Sequence, residues 1–248
     1  MVGSLLLRGM IAGVIAGIIA FGFARFYGEP QIDHAIAFEE LMSATEADAS
    51  EPELVSRATQ AGIGLFTGLV IYGAAVGGLL SLVFAFTYGR ISSLSARGTA
   101  ALLALGAFIA MVLVPDLKYA PNPPAVGSPD TIGARTQLFF IMLVVSLLTM
   151  AAAVTITRRL WTSQGAWNAA LAGGLFFVAV IAAVQYAMPD INEVPEQFSA
   201  LVLWRFRLAS IGMHAILWTV LGILFGILAE RTLADRSSSR YAPRPALR

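Results

Sequence analysis

The polar residues of this chain fall between long apolar runs, and those runs have the length that a lipid bilayer demands. A spanning helix needs about 20 mostly apolar residues, and no run is interrupted in its middle by Lys, Asp or Glu. The pattern predicts an all-α fold, a polytopic membrane helix bundle with six transmembrane helices arranged as three helical hairpins. The predicted spans are residues 6–26, 62–88, 98–117, 136–157, 166–188 and 207–229.

Charge separates the two sides of this six-span arrangement. The N-terminus, the second and fourth connections and the C-terminal tail carry ten basic and two acidic residues, whereas the other side carries thirteen acidic and six basic residues. The positive-inside rule therefore predicts that both termini are cytoplasmic. A five-span arrangement would break the alternation. We expect a transmembrane domain over 1–236 and a disordered basic cytoplasmic tail over 237–248.

The amino-acid composition further limits the class of protein to which the chain can belong. The chain is 58% hydrophobic and 12% charged, against about 25% charged residues in an ordinary soluble domain. This membrane character excludes nucleic-acid binding. The absence of Cys excludes a disulfide framework and a zinc–thiolate site.

The first apolar run has two interpretations. A cleaved signal peptide is one, with Gly22-Phe23-Ala24 as a weak cleavage-like site. A retained helix is favoured, because Gly9, Gly13 and Gly17 repeat on one helix face and permit close helix contact. Gly pairs with the same spacing recur at Gly64/Gly68, Gly73/Gly77 and Gly222/Gly226. Packing within one bundle is favoured over a dedicated oligomer face, although an oligomer stays open.

The hairpins carry a repeated motif. The third and fifth predicted helices end in Val114-Pro115-Asp116 and Met188-Pro189-Asp190, and Arg residues open the helices that return. Proline stops a helix, so each Asp is expected close to the membrane surface. Asp116 and Asp190 lie on the same side and could face one another, which is one of two interpretations. The alternative is a pair of ordinary solvated loop residues.

Candidate metal ligands collect on the acidic side. Asp33-His34 with Glu39-Glu40 is the densest group, and residues 34–42 are a candidate short interfacial helix. Carboxylate and imidazole together suit divalent transition metals. The alternative is that acidic outer loops merely follow from topology. The six candidate metal ligands are Asp33, His34, Glu39, Asp116, Asp190 and Glu193.

The predicted sixth helix contains His214, and an ionisable group inside a span is a functional hypothesis. A neutral His bonded to a neighbouring helix is an equal alternative, with Gln185 as a plausible polar partner. Enzyme signatures are absent: the sequence has no Gly-rich phosphate loop, no H-E-x-x-H and no G-x-S-x-G. We therefore expect no enzyme and no cofactor.

Longer motifs support a family resemblance. They are L-L-L-R-G at 5–9, G-E-P-Q-I-D-H-A-I-A-F-E-E at 28–40, V-P-D-L-K-Y-A-P-N-P-P-A-V-G at 114–127, E-V-P-E-Q-F at 193–198 and L-W-R-F-R-L-A-S at 203–210. Together they resemble the CbtA-type cobalt transporter subunits. The resemblance implies Co²⁺ as transported substrate, uptake across a bacterial inner membrane, and a link to vitamin B12 supply. It also implies a small membrane partner of CbtB type that carries a His-rich metal-binding end.

Three functions are thus weighed. The leading one is a divalent-metal permease subunit whose outer acidic loops collect the cation and pass it to a site between hairpins. The second is a non-transporting membrane scaffold that anchors the His-rich partner. The third is an intramembrane enzyme that uses His214 and outer carboxylates.

Overall fold

The regular structure of the chain is entirely helical in the part that the computed structural model describes. That part comprises residues 2–46, 55–90 and 94–241, of which 45, 46 and 235–241 are described by their backbone alone, and it contains no strand. The α-helices are α1 Val2–Phe23, α2 Glu29–Glu46, α3 Arg57–Thr59, α4 Leu65–Thr87, α5 Ala96–Phe108, α6 Val114–Lys118, α7 Ile132–Ala187 and α8 Ala200–Tyr241.

Five helical stretches in the described ranges are long and apolar enough to cross a membrane. They are Val2–Ala44, Arg57–Thr87, Ala96–Lys118, Pro129–Ala187 and Ala200–Ala234. The all-α membrane class is thereby confirmed for the described residues. The predicted tail begins inside α8, because the backbone of 237–241 continues that helix, whereas 242–248 lie outside the described residues. Disorder of the tail stays a prediction.

The first helix is longer than its apolar run suggests. α1 does not end near residue 26 but continues through a π-helical turn, Ala24–Gly28, into α2. Pro30 does not stop the helix, because the preceding residue, Glu29, donates its N–H to the carbonyl of Ala24, five residues back. The wider turn accommodates a proline that cannot donate to the residue four positions back.

The same arrangement recurs before Pro115. A π-helical turn, Ile109–Leu113, follows α5, and Val114 donates its N–H to the carbonyl of Ile109. The helix therefore passes through Pro115 and ends three residues later, at Lys118. The expectation that Pro115 terminates the helix is wrong for this reason. Pro189 behaves as expected, because α7 ends at Ala187 and Met188 is already extended.

The chain divides into two compact units. The first consists of Met1–Phe21, Ile63–Leu105 and Ile216–Arg248. Within it, the glycine face of α1 packs directly on α4. A Cβ added at Gly13 would overlap the carbonyl of Gly73, and one added at Gly9 would overlap that of Gly77. Packing within one bundle, the favoured interpretation, is confirmed for the glycines of α1 and for Gly73 and Gly77, whereas a Cβ added at Gly68 would meet no atom within 4 Å.

The second unit consists of Gly22–Gly62 and Gly106–Ala215. Inside α7, Gly165 has φ 77° and ψ 164°, which is not helical. A glycine tolerates this positive φ because it has no Cβ. A Cβ at Gly173 would contact the side chain of Thr157 and the carbonyl of Ala153. The two parts of α7 on either side of Gly165 therefore pack against each other.

Two apolar clusters hold the second unit together. Val114, Met142 and Ile181 form one, which joins the end of the α5–α6 helix to both parts of α7. Ala35, Val126, Phe198 and Leu203 form the other. In the second cluster Phe38 of α2 meets Phe198 edge-on, with ring centroids 5.2 Å apart. α2, the loop before α7 and the segment that leads into α8 are thus packed around a small apolar core of their own.

Candidate functional site

The candidate ligand Asp33 shares one arginine with a second carboxylate of α2, that of Glu29. Glu29 and Asp33 are one helical turn apart and therefore lie on the same face. The same guanidinium nitrogen of Arg57, Nη2, donates to the Glu29 carboxylate and to Asp33 Oδ1, the latter at 3.0 Å, and Arg57 Nε reaches Asp33 Oδ1 at 3.2 Å. The Glu29 side chain is 3% exposed and that of Asp33 is 61% exposed. Asp33 is thus already neutralised by a cation of the same chain.

His34 and Glu39 lie on the exposed surface of α2. The predicted short helix over 34–42 is confirmed as part of α2, which begins earlier and ends later. However, the described residues include no group of three or more His, Cys, Asp and Glu side chains that can hold a metal ion. Asp48, Glu51 and Glu53, which follow in the same outer connection, lie outside the described residues.

The two Pro–Asp segments lie side by side. Three side chains cross between them: Gln185 Nε2 donates to the Val114 carbonyl at 3.0 Å, Tyr119 Oη donates to the Pro189 carbonyl at 3.0 Å, and Lys118 Nζ pairs with Asp190. Two of these bonds end on backbone carbonyls, so they do not depend on side-chain charge. These contacts make the two segments neighbours, whereas the facing of Asp116 and Asp190 themselves stays a prediction.

The carboxylates of the two segments do not share a partner. Asp190 pairs with Lys118, whose side chain is 11% exposed, while that of Asp190 is 91% exposed. Asp116 and Lys118 are two residues apart on α6, so they point to different sides of the helix. Asp116 is half-buried, and no described side chain forms an ion pair with it. Asp116 and Asp190 therefore differ in both exposure and pairing.

The carboxylate of Glu193 accepts hydrogen bonds from the loop before α7. Its carboxylate accepts the N–H of Ser128 at 2.9 Å, and Arg135 Nε lies 3.4 Å away. The Thr131 hydroxyl, then the Ser128 N–H and the Arg135 charge, lower the pKa of Glu193, against the opposing effect of burial. This carboxylate ties the 126–131 loop to the segment after α7.

The start of α8 is tied to the same region. Arg207 Nη2 donates to Asn122 Oδ1 at 2.9 Å, and Arg207 Nε donates to the Pro121 carbonyl at 3.4 Å. The sequence indicated that Arg residues open the returning helices, but it did not indicate their partners. Arg57, Lys118 and Arg135 pair with carboxylates that are far from them along the chain, so no local sequence pattern indicates these partners.

His214 bonds within its own helix. Its Nδ1 lies 2.9 Å from the carbonyl of Ser210, one turn earlier in α8. The amide of Gln185, its suggested partner, instead donates to Val114. The role of His214 as a functional residue stays a prediction.

Comparison with known proteins shows which family the chain resembles. The family model described as "CbtA: Probable cobalt transporter subunit" matches residues 2–230. No curated protein and no solved structure matches the chain.

Proposed function

The chain belongs to the CbtA family of probable cobalt transporter subunits, and we propose that it is the membrane subunit through which Co²⁺ enters a bacterial cell. The ion is the cargo and not a resident cofactor. The inner membrane is the proposed location, and vitamin B12 synthesis is the proposed use of the cobalt. The family match over nearly the whole chain carries this proposal.

Six crossings fit the helices better than five. α7 has 56 residues, which corresponds to about 84 Å of continuous helix, whereas the hydrocarbon core is about 30 Å thick. The non-helical Gly165 and the contact between Gly173 and Thr157 support two antiparallel crossings. With six crossings the chain forms three hairpins, and the basic connections and both termini are cytoplasmic.

The carboxylates on the outer side form a route for the cation along which the side chains become less exposed to solvent. His34 and Glu39 are exposed on α2, where they and the other acidic residues raise the local cation concentration. Asp190 is the exposed acid of the Pro–Asp pair, and Asp116 is the half-buried one. We place the first capture of the ion at Asp190 and its entry between the second and third hairpins at Asp116.

A partner completes the transporter. Asp33, Asp190 and Glu193 are each ion-paired within the chain, which favours a composite metal site to which another subunit adds ligands. A small subunit of CbtB type with a His-rich end is the proposed partner. The same ion pairs favour a second function, that of a scaffold which anchors this partner and leaves transport to other proteins.

Uptake of radiolabelled cobalt tests the proposal. Cells without their own cobalt importers would express the chain alone or with the partner. We expect accumulation that Asp116→Ala with Asp190→Ala abolishes, while the variant still inserts into the membrane. Asp130→Asn is the matched control, because Asp130 is an exposed acid of the loop before α7.

The possible outcomes separate the two functions. Wild-type uptake in the double variant would exclude the proposed route. Absence of uptake with and without the partner, together with stable co-purification of the two proteins, would establish the scaffold.

A further inference from the structure

The two compact units are joined by four stretches of helix, and three of these stretches share an unusual local structure. The second unit begins at Gly22, breaks off at Gly62, resumes at Gly106 and ends at Ala215. The π-helical turns of the described residues, Ala24–Gly28, Gln60–Gly64 and Ile109–Leu113, all lie at or close to the three boundaries that are marked by glycine. We infer that these three places are hinges at which the helices bend, so that the two units move as separate bodies.

The π-helical turns are the first argument for hinges. A π-helical turn inside an α-helix frequently marks a functional site, and sharp bends of helices concentrate at such turns, at glycine and at proline. Proline accounts for two of the three turns, because Pro30 and Pro115 follow closely after them. No proline follows Gln60–Gly64 before the end of α4. The property that all three turns share is therefore their position at a boundary between the units.

The glycines at these boundaries are the second argument. A Cβ added at Gly22, Gly62 or Gly106 would meet no atom within 4 Å, so close packing does not require glycine there. None of the three has a positive φ, so the backbone conformation does not require glycine either. Glycine makes a helix less stable than alanine does. The contribution of these residues is therefore a helix that bends easily.

The fourth connection between the units has a different structure. α8 passes the boundary at Ala215 without a π-helical turn. The glycine close to that boundary, Gly212, has a packing role, since a Cβ there would lie 2.9 Å from the ring of Phe23. α8 therefore joins the units as one uninterrupted helix, while the other three connections carry the hinges.

The bodies that move are not the three hairpins. The boundaries cut through α1, α5 and α8, so each hairpin contributes to both units. The glycine contacts between α1 and α4 lie inside the first unit, and the ion pairs of Glu29, Asp190 and Glu193 lie inside the second. Bending at the hinges breaks none of these contacts. Alternating access in transporters is largely a movement of one rigid body against another, but the hinges do not rest on the nature of the cargo.

The test replaces the boundary glycines with alanine. In the boundary variant, Gly22→Ala with Gly62→Ala and Gly106→Ala, each added methyl group has open space around it. Each alanine should lower the population of the bent helix about fivefold, and the three together about a hundredfold. The matched control is Gly3→Ala with Gly133→Ala and Gly174→Ala, because these helical glycines have equally open surroundings and lie away from the boundaries.

Spin labels supply the distances, because the chain contains no Cys. Leu79→Cys with Ser163→Cys places one label at an exposed position of each unit, and Asp130→Cys with Ser163→Cys places both labels on the second unit. Pulsed EPR of the full chain in lipid nanodiscs measures the distribution of distances for each pair. We expect two populations for the pair across the units and one for the pair within the second unit. The boundary variant should leave a single population across the units, and the control variant should keep both.

Three results would overturn the inference. They are a single population across the units in the wild type, a second population that persists in the boundary variant, and an equal loss of that population in the control variant. Gly62→Ala alone should lower the second population about fivefold, and it gives the same decision if the boundary variant does not insert into the membrane. Cobalt is absent from the measurement, so its result is independent of the uptake experiment.

Discussion

The guanidinium of Arg57 is ion-paired with Glu29, whose side chain is only 3% exposed. The two residues are 28 positions apart and connect α2 with α3. Burial of a carboxylate without a partner costs free energy. The Glu29–Arg57 ion pair therefore stabilises the contact between α2 and α3 more than a solvent-exposed ion pair would. Asp33, which is 61% exposed, adds a second and weaker contact to the same guanidinium.

Arg57→Gln should destabilise the protein by about 3–5 kcal/mol, because it leaves the Glu29 charge buried and unpaired. Glu29→Gln together with Arg57→Gln should cost less than Arg57→Gln alone, since the buried charge is then removed. Thermal unfolding in detergent measures both. Asp33→Asn is the control and should change stability by no more than about 1 kcal/mol. Equal losses in the single and double variants would refute the coupling.

Gly13→Ala should cost about 1–3 kcal/mol, because a Cβ there would overlap the carbonyl of Gly73 and force α1 from α4. Gly68→Ala is the matched control, since Gly68 is a helical glycine of the same unit with open space around its missing Cβ. The control should be neutral, or more stable by up to about 1 kcal/mol. The unfolding temperatures of the two variants in one detergent decide the point.

The loop tied by Glu193 should loosen in acid. The pKa of Glu193 is lowered in the folded protein from its ordinary value of 4.5. Its stabilising contribution is therefore complete above that value and is lost as pH falls through the lower, folded pKa. The protection factors of the amides in 126–131, which correct for the intrinsic pH dependence of exchange, should be high at neutral pH and lower in strong acid. In Glu193→Gln the protection factors should no longer fall in acid, and a persistent fall would assign the effect to another group.

Sidedness of the α7 helix is directly measurable because the chain contains no Cys. If α7 crosses twice, Asp130→Cys and Ser199→Cys should react with an impermeant maleimide from one side, and Ser163→Cys from the other. A single crossing would instead place residues 130 and 199 on opposite sides. All three native residues are exposed, so burial does not confuse the result.

Lys118 should compete with the incoming cation for Asp190. Lys118→Met removes the tethered ammonium from the exposed carboxylate, and the half-saturating cobalt concentration for uptake should fall by up to about fivefold, the worth of a surface ion pair. Lys118→Arg retains the charge and should retain the wild-type value. Tyr119 and Gln185 still hold the two segments together in both variants. If the half-saturating cobalt concentration were unchanged in Lys118→Met, Asp190 would not be on the route of the cation.

The sequence by itself determined the helical membrane class, because a long apolar run has one low-energy state in a bilayer whatever its neighbours are. It also determined that acidic and basic residues are concentrated in different connections and that the Pro–Asp segment is repeated. It did not determine where the helices end. Pro30 and Pro115 lie inside continuous helices because a π-helical turn precedes each proline, and this backbone adjustment leaves no mark in an apolar pattern.

Only the tertiary structure decided which carboxylates are already paired with donors of the same chain. Glu29 meets Arg57 across 28 residues, Glu193 meets Ser128 across 65, and Asp190 meets Lys118 across 72. Patterns of charge and hydropathy describe residues that are close together in the sequence. These pairs, in contrast, form because helix packing brings distant segments together. The same packing leaves Asp116 half-buried beside the end of α7, a position that distinguishes it from the other acids of the motif.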